Sequence, residues 1–154
     1  MPLDDLVTPS AVVASLKANS KKQALQELAE KAAQLSGMAA REIFDALIQR
    51  ERLGTTAIGS GIAIPHGKLS KCSKIFGVFA RLERPVDFEA LDDAPVDIVF
   101  LLVAPESAGA DHLNALSRIA RLLRDSRIVN TLRATTDPSA LYSILVREQA
   151  PNAA

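Results

Sequence analysis

The sequence predicts an α/β fold: a single domain with a mixed parallel and antiparallel β-sheet of about five strands, flanked by helices on both faces. Helix-like periods come first, strand-like runs occupy the middle, and helix-like periods return at the end. The run "PVDIVFLLVAP" is almost wholly apolar, as in a central strand covered on both faces. A chain of 154 residues, 48% of them hydrophobic, fits one domain with a substantial core, so we assign residues 1–154 to it.

The first third of the chain predicts two helices. Ser20 opens a capping-box pattern before the first helix, and Gly37 is a natural stop. The second helix ends at Gly54 and carries Arg50 and Arg52 in its last turn, where positive charge suits the helix dipole. The preceding segment "AVVASLKA" is either a strand or an irregular extended piece.

The middle of the chain predicts strands. "IAIPHG" is a short β-like run that a proline and a glycine are expected to end, and "KIFGVFARL" is rich in β-branched and aromatic residues. The apolar run between prolines follows, and "PESAGAD" then predicts a loop.

The C-terminal part predicts three helices. An amphipathic helix covers about 113–123, a short one includes 128–132, and the last, over about 137–147, opens with an Asp-Pro cap. Residues 148–154 are expected to be a frayed C-terminus.

Composition disfavours some classes of partner and excludes some kinds of site. The 18 basic and 18 acidic side chains balance, and no block of like charge favours nucleic acid or a membrane surface. Cys72 is the single cysteine, which excludes an intrachain disulfide and a cysteine-rich zinc site. The N-terminus lacks a signal-peptide core, and the longest apolar run is far shorter than the roughly 20 residues of a membrane helix. We expect a cytoplasmic protein with no direct membrane insertion.

Two nucleotide motifs begin in the chain and then fail. Gly59 and Gly61 start like a dinucleotide fingerprint, but Ile64 stands at the third glycine position. Gly67 and Lys68 resemble the end of a phosphate loop, but its first glycine and its Ser/Thr are missing. The sequence therefore predicts no nucleotide cofactor.

His66 is the residue whose chemistry stays open at this point. It lies at the end of the β-like run, and three interpretations are open: a turn residue, a metal ligand or a reacting group. As a ligand it would join His112 and Asp111, but their spacing matches no standard metal pattern, and we predict no metal site. As a reacting group, neutral imidazole is a competent nucleophile toward phosphorus. Such a site needs positive charge around the phosphoryl oxygens, for which arginine is well suited.

The stretch "QRERLGTTAIGSGIAIPHGK" resembles the IIA components of the bacterial phosphoenolpyruvate-dependent phosphotransferase system, of the fructose–mannitol type, and within them the nitrogen-regulatory branch. "SKKQALQELAEKAA", "GVFARLERPVDFEALDDAPVDIVFLLVAPES" and "DHLNALSRIARLLRD" are similar to the family in the same order. The resemblance extends from about residue 10 to residue 146 and implies one IIA domain of this type.

The resemblance implies roles for individual residues. His66 would be phosphorylated by a small histidine-phosphorylated carrier protein, and Arg50 would help to hold the phosphoryl group, although it also suits the end of a helix. His112 would donate a hydrogen bond to the phosphoryl group or orient His66. Further phosphoryl-binding positions are Thr55, Thr56, Gly61 and Gly67. For the two threonines, a role in ending the helix and shaping the turn is an equal alternative.

The resemblance also implies a function. The phosphorylation state would signal nitrogen, potassium or carbon status by deciding which partners bind, such as potassium transporters or sensor kinases. An alternative is a IIA component that passes phosphate to a fructose- or mannitol-type sugar permease. A binding module whose chemistry is vestigial is a third possibility. None of these functions requires a cofactor.

Overall fold

The computed structural model describes residues 3–147, so the predicted frayed end at 148–154 lies outside the described residues. Within them, no helix has the length and hydrophobicity to cross a membrane. The described chain forms six strands, five α-helices and two short 3-10 helices. In chain order the strands and α-helices are β1 (Val12–Leu16), α1 (Lys21–Ser36), α2 (Ala40–Leu53), β2 (Ala57–Gly59), β3 (Ile62–Ala63), β4 (His66–Leu69), β5 (Phe76–Val86), β6 (Val96–Pro105), α3 (Ala110–Leu123), α4 (Ser126–Ala134) and α5 (Pro138–Val146).

The strands form one mixed sheet, as predicted. β1 is parallel to β5, and β5 is antiparallel to β6 at the centre. On its other side β6 pairs in parallel with both β3 and β4, and β3 pairs antiparallel with β2. The sheet has six strands rather than about five because the run "IAIPHG" contributes to both β3 and β4, and because β2 precedes it as a short strand that the sequence analysis did not predict.

The expectation that this run ends at its proline and glycine is met only in part: β3 ends at Ala63, before Pro65, but a further strand begins at His66 and includes Gly67. Ala63 pairs with Val99 of β6, and the pairing resumes with His66 opposite Leu102. Pro65 lacks an N–H donor, but its carbonyl oxygen accepts a hydrogen bond from the Leu102 N–H at 2.9 Å, so the ladder continues through it. His66 is therefore the first residue of a strand and not a turn residue.

The core lies on both faces of the sheet, and β6 divides it. Val99, Leu101 and Val103 face the cluster beneath α1 and α2. The alternate residues Ile98, Phe100 and Leu102 face the cluster beneath α3, α4 and α5. All six side chains are buried, which confirms the prediction of a central strand covered on both faces.

Capping residues set the helix ends where the sequence predicts them. The Ser20 hydroxyl accepts a hydrogen bond from the Gln23 N–H at 3.1 Å, and Gly37 ends α1 in the left-handed conformation with φ 78°. The Asp137 carboxylate caps α5 by accepting from the Ala140 N–H at 2.9 Å. The two possibilities for "AVVASLKA" resolve to a strand, β1, that is parallel to β5.

Candidate active site

The ring of His66 is held in one orientation by its own backbone. Nδ1 lies 2.9 Å from the carbonyl oxygen of Ile64. A carbonyl oxygen only accepts, so Nδ1 carries the proton and donates it in this bond. In the neutral ring the lone pair is then on Nε2. His66 is half-buried, which limits the other orientations that the ring can adopt.

Arg50 contacts the other ring nitrogen of His66. It lies in the last turn of α2, and its Nε donates to His66 Nε2 at 3.2 Å. Its Nη1 donates to the carbonyl oxygen of Gly54 at 2.8 Å, just past the helix end. Arg50 thus satisfies a carbonyl at the helix C-terminus and contacts His66 at the same time. The two roles predicted for Arg50, at the end of a helix and beside a phosphoryl group on His66, are therefore compatible in one geometry.

The absence of a side chain at Gly67 allows this contact. A Cβ atom at Gly67 would lie 3.2 Å from the Cβ of Ala46 on α2, closer than nearly all real contacts of this kind. The helix therefore packs directly on the backbone of β4, and Ala46 lies one turn before Arg50. The structure assigns Gly67 a packing role beside the site, whereas its predicted contact with a phosphoryl group stays a prediction.

His112 is the second predicted side chain that lies beside His66. It is in the first turn of α3, is 5% exposed, and its ring centroid is 5.5 Å from that of His66 at an interplanar angle of 51°. Its Nε2 is buried and has no hydrogen-bond partner among residues 3–147. The positive end of the α3 dipole adds to this environment. An anionic group beside the two rings would satisfy the buried nitrogen and the dipole together.

Both histidines favour the neutral form. Burial lowers the pKa of His66 below its ordinary value of 6.5, and the charges of Arg50 and Lys68 lower it further. The Ile64 hydrogen bond and the charge of Glu51 oppose this shift. Burial also lowers the pKa of His112, followed by the influence of His66 and Lys68. At neutral pH the lone pair of His66 is therefore available for nucleophilic attack.

The hydroxyl groups of the two threonines are used within the protein. Thr55 Oγ1 donates to the carbonyl oxygen of Phe88 at 2.6 Å and accepts from the Ala57 N–H at 3.1 Å. Thr56 Oγ1 donates to Glu51 Oε1 at 2.6 Å. Each hydroxyl proton would have to leave its carbonyl or carboxylate acceptor before it could bind a phosphoryl oxygen. These contacts favour the alternative in which both residues shape the turn after α2.

Gly61 lies away from the other predicted site residues. Its φ of 81° places it in the turn between β2 and β3, and its carbonyl oxygen accepts from the N–H groups of Asp97 and Ile98. Ile98 precedes Leu102, the sheet partner of His66, by four residues, which is roughly 13 Å along a strand. Gly61 thus serves the hairpin turn, a placement that does not favour a contact with a phosphoryl group on His66, and its predicted role in the phosphoryl site stays a prediction.

Glu51 is a buried residue beside the site that our sequence analysis missed. It is 7% exposed, and its carboxylate accepts hydrogen bonds from the backbone N–H and the hydroxyl of Thr56. Lys21 Nζ lies 3.5 Å from Oε2. The sequence did contain a signal for Glu51: an acidic side chain in the last turn of a helix interacts unfavourably with the helix dipole, which indicates compensating contacts.

No group of three or more His, Cys, Asp or Glu side chains within residues 3–147 is arranged to hold a metal ion. The expectation of a site without metal or cofactor stays a prediction. His66, Arg50 and His112 are the predicted residues that the fold brings together.

Comparison with known proteins gives the family. The family described as "Phosphoenolpyruvate-dependent sugar phosphotransferase system, EIIA 2" matches residues 5–148. A nitrogen regulatory protein of Bradyrhizobium diazoefficiens is 66% identical over 145 residues, which cover 94% of this chain and 95% of that protein. A nitrogen regulatory protein of Pseudomonas aeruginosa is 40% identical over 148 residues, which cover 96% of each.

A solved structure shows the same fold. The crystal structure of the nitrogen regulatory protein IIA-Ntr from Neisseria meningitidis matches with a TM-score of 0.88 and 31% identity, covering 93% of this chain and 98% of that chain. This match confirms the predicted α/β fold with its mixed sheet. Together with the sequence matches, it confirms the resemblance: the chain belongs to the EIIA 2 family of the phosphoenolpyruvate-dependent sugar phosphotransferase system.

Proposed function

We propose that this chain is a phosphoryl-relay protein in which Nε2 of His66 accepts a phosphoryl group from a histidine-phosphorylated carrier protein. One observation carries the proposal: the Nδ1–H bond to the Ile64 carbonyl leaves the lone pair on Nε2, which lies at the Arg50 guanidinium. A neutral nucleophile beside a permanent cation is the arrangement that transfer of a dianionic group requires.

The transfer is written with one bond formed and one broken. The lone pair of His66 Nε2 forms the new bond to phosphorus. The bond between phosphorus and the ring nitrogen of the donor histidine breaks in line with it, and its electron pair returns to the donor imidazole. The Nδ1 proton of His66 stays in its bond to Ile64, so the step needs no general base on this chain.

Arg50 and His112 stabilise the phosphoryl oxygens in this proposal. Arg50 Nε contacts Nε2 at 3.2 Å before transfer, and it shifts its donors onto the oxygens as the new bond forms. The buried Nε2 of His112, which has no partner within the described chain, donates to one oxygen in the tautomer that carries a proton there. The N-terminus of α3 supports the same negative charge.

The output that we propose is regulatory and lies in the cytoplasm. It rests on the likeness to nitrogen regulatory proteins, which extends over nearly the whole chain. Phosphorylation of His66 adds negative charge to a half-buried surface position, which changes the partners that this face can bind. Potassium transporters and sensor kinases are the classes of target that we propose, with nitrogen, potassium or carbon status as the signal.

The test is a phosphorylation assay with phosphoenolpyruvate, the first enzyme of the system and the carrier protein. We expect acid-labile, base-stable label on the wild-type chain and none on His66→Ala, because the attacking nitrogen is gone. Mass spectrometry should place the phosphoryl group on His66. Equal labelling of His66→Ala would refute the assignment.

The sugar-permease alternative is separated by the second half of the same assay. The labelled chain is mixed with a permease domain of the fructose or mannitol type that accepts phosphate from IIA proteins. Rapid loss of label to that domain would favour sugar uptake, which the sugar phosphotransferase name of the family includes. Retention of label would favour regulation. Failure of the wild-type chain to take up label would instead support a vestigial binding module.

A further inference from the structure

A buried carboxylate lies one residue from Arg50 and does not contact His66 in the described hydrogen bonds. The side chain of Glu51 is 4% exposed. Its Oε1 accepts from the Thr56 hydroxyl at 2.6 Å, and its Oε2 accepts from the Thr56 backbone N–H at 3.0 Å. Because a buried carboxylate is costly without donors, these bonds tie the end of α2 to the start of β2.

The tied segment carries the acceptor that orients Arg50. Residues 54–56 form the turn between α2 and β2, and the carbonyl oxygen of Gly54 accepts from Arg50 Nη1 at 2.8 Å. The same guanidinium places Nε 3.2 Å from His66 Nε2. A shift of the turn would therefore move the Gly54 carbonyl, then the guanidinium, and then the contact at the nucleophile.

A second element anchors the carboxylate. Lys21, the first residue of α1, lies 3.5 Å from Glu51 Oε2 and donates to Glu89 at 2.9 Å. The turn is thus held from α1 and from the segment that precedes β6, as well as from α2. The position of the turn is therefore fixed by contacts with several elements of the fold, unlike that of a freely moving loop.

We infer that Glu51 is a positioning residue for phosphoryl transfer: by holding Thr56 it fixes the turn that orients Arg50 on His66. The inference rests on the proposed function, since it assumes that His66 is the phosphorylated residue. This role differs from a general contribution to stability, because Glu51 is inferred to affect the transfer rate through the Arg50 side chain. Removing Arg50 should remove the consequence of changing Glu51.

A double-mutant cycle tests this coupling. Glu51→Gln keeps the size of the side chain but presents an amide N–H₂ to one of the two Thr56 donors. We expect it to slow the initial rate of phosphorylation by the carrier roughly tenfold, since small misplacements near the chemistry are costly. In an Arg50→Ala background the same change should slow the rate less than about twofold. An equal loss in both backgrounds, or no loss in the first, would overturn the inference.

A milder pair of variants covers the case in which Glu51→Gln does not fold. Thr56→Val removes the hydroxyl donor, whereas Thr56→Ser keeps it. We expect Thr56→Val to slow transfer and Thr56→Ser to retain the wild-type rate. Glu42→Gln is the matched control, because it removes an exposed carboxylate of the same helix that pairs with Lys71 at 3.0 Å. It should leave the rate unchanged.

An NMR measurement on the unphosphorylated protein separates this inference from the proposed function. The ¹⁵N shift of His66 Nε2 reports the Arg50 contact and needs no phosphoryl donor. It should move in Glu51→Gln and Thr56→Val and stay in Glu42→Gln and Thr56→Ser. If the wild-type chain takes no label but these shifts move as expected, the function fails and the positioning holds. If the label appears and the shifts do not move, the positioning fails alone.

Discussion

At the scale of the residue, the two ring nitrogens of His66 have opposite tasks. Nδ1 is satisfied by the Ile64 carbonyl, and this bond leaves the lone pair on Nε2, the nitrogen that reacts in the proposed function. Nε2 faces the Arg50 guanidinium, a contact that is favourable only while the imidazole is neutral. The Ile64 carbonyl and the Arg50 guanidinium together favour the neutral ring with its proton on Nδ1 and its lone pair on Nε2. The nearby charge of Lys68 acts in the same direction on both histidines.

This electrostatic arrangement predicts the pH dependence of phosphorylation. The folded pKa of His66 lies below 6.5, so the neutral and reactive form persists as the pH falls through 6.5. We expect the transfer rate to stay on its plateau down to that pH and to fall only in a more acidic range. NMR titration of both ring resonances should give midpoints below 6.5, since burial lowers both pKa values.

Two lysines provide the control for this pH prediction. Lys68→Ala should raise both midpoints, because the cation lowers the pKa of each histidine. Lys71→Ala removes a nearby exposed cation that is not among the causes of either shift, and it should leave them in place. A His66 midpoint at or above 6.5 in the wild-type protein would contradict the electrostatic account of the site.

At the scale of the element, the site forms where the ends of two helices approach one strand. The last turn of α2 supplies Arg50, and the first turn of α3 supplies His112. The strand β4 presents His66, which contacts Arg50 and lies beside the His112 ring. The helix faces and their ends were predictable from periodicity and caps. The resumption of strand pairing at His66 was not predictable, because proline usually ends a strand. The pairing continues because the Pro65 carbonyl accepts a hydrogen bond from Leu102, and only the folded sheet defines that register.

The close packing of α2 on β4 predicts an effect of Gly67→Ala. The new Cβ would lie 3.2 Å from the Cβ of Ala46, so the helix must move away by a few tenths of an ångström. We expect phosphorylation to slow by roughly tenfold, because Arg50 moves with the helix, and the free energy of unfolding to fall by about 1 kcal/mol. Rate measurements and denaturant titration check the two effects.

A second substitution shows whether the space between helix and strand is the cause. Ala46→Gly removes the opposing methyl group, so Ala46→Gly combined with Gly67→Ala should recover most of the transfer rate. Its stability should stay low, because a glycine within a helix costs about 1 kcal/mol relative to alanine. If the double variant transfers as slowly as Gly67→Ala alone, the approach of α2 does not control the geometry of Arg50.

At the scale of the whole molecule, sequence patterns predicted the layers of the fold and most residues of the candidate site. The apolar run that became β6 and the capped helices follow from local chemistry. The resemblance to a family suggested His66, Arg50 and His112, which the fold brings together. Glu51 and the Ile64 carbonyl were missed, because burial and hydrogen bonds to the backbone arise only from tertiary packing. The distance of Gly61 from His66 along the sheet could not be predicted, because the two residues are near each other in sequence.

That separation leads to a last prediction, that stability and phosphoryl transfer can be altered independently. Arg133 of α4 binds both carboxylate oxygens of Asp97 at 3.0 Å and donates to the carbonyl oxygen of Ser60 at 2.6 Å, beside Gly61. Arg133→Ala should lower the free energy of unfolding by about 2 kcal/mol in denaturant titration, since hydrogen bonds to charged groups are lost. The transfer rate should change by less than about twofold, because the hairpin is remote from His66.

The control for this prediction is Arg121→Ala, at an exposed position of α3, which should change the free energy of unfolding by no more than about 0.5 kcal/mol. If Arg133→Ala folds but transfers much more slowly, the prediction is contradicted, and the hairpin with Gly61 contributes to the active site.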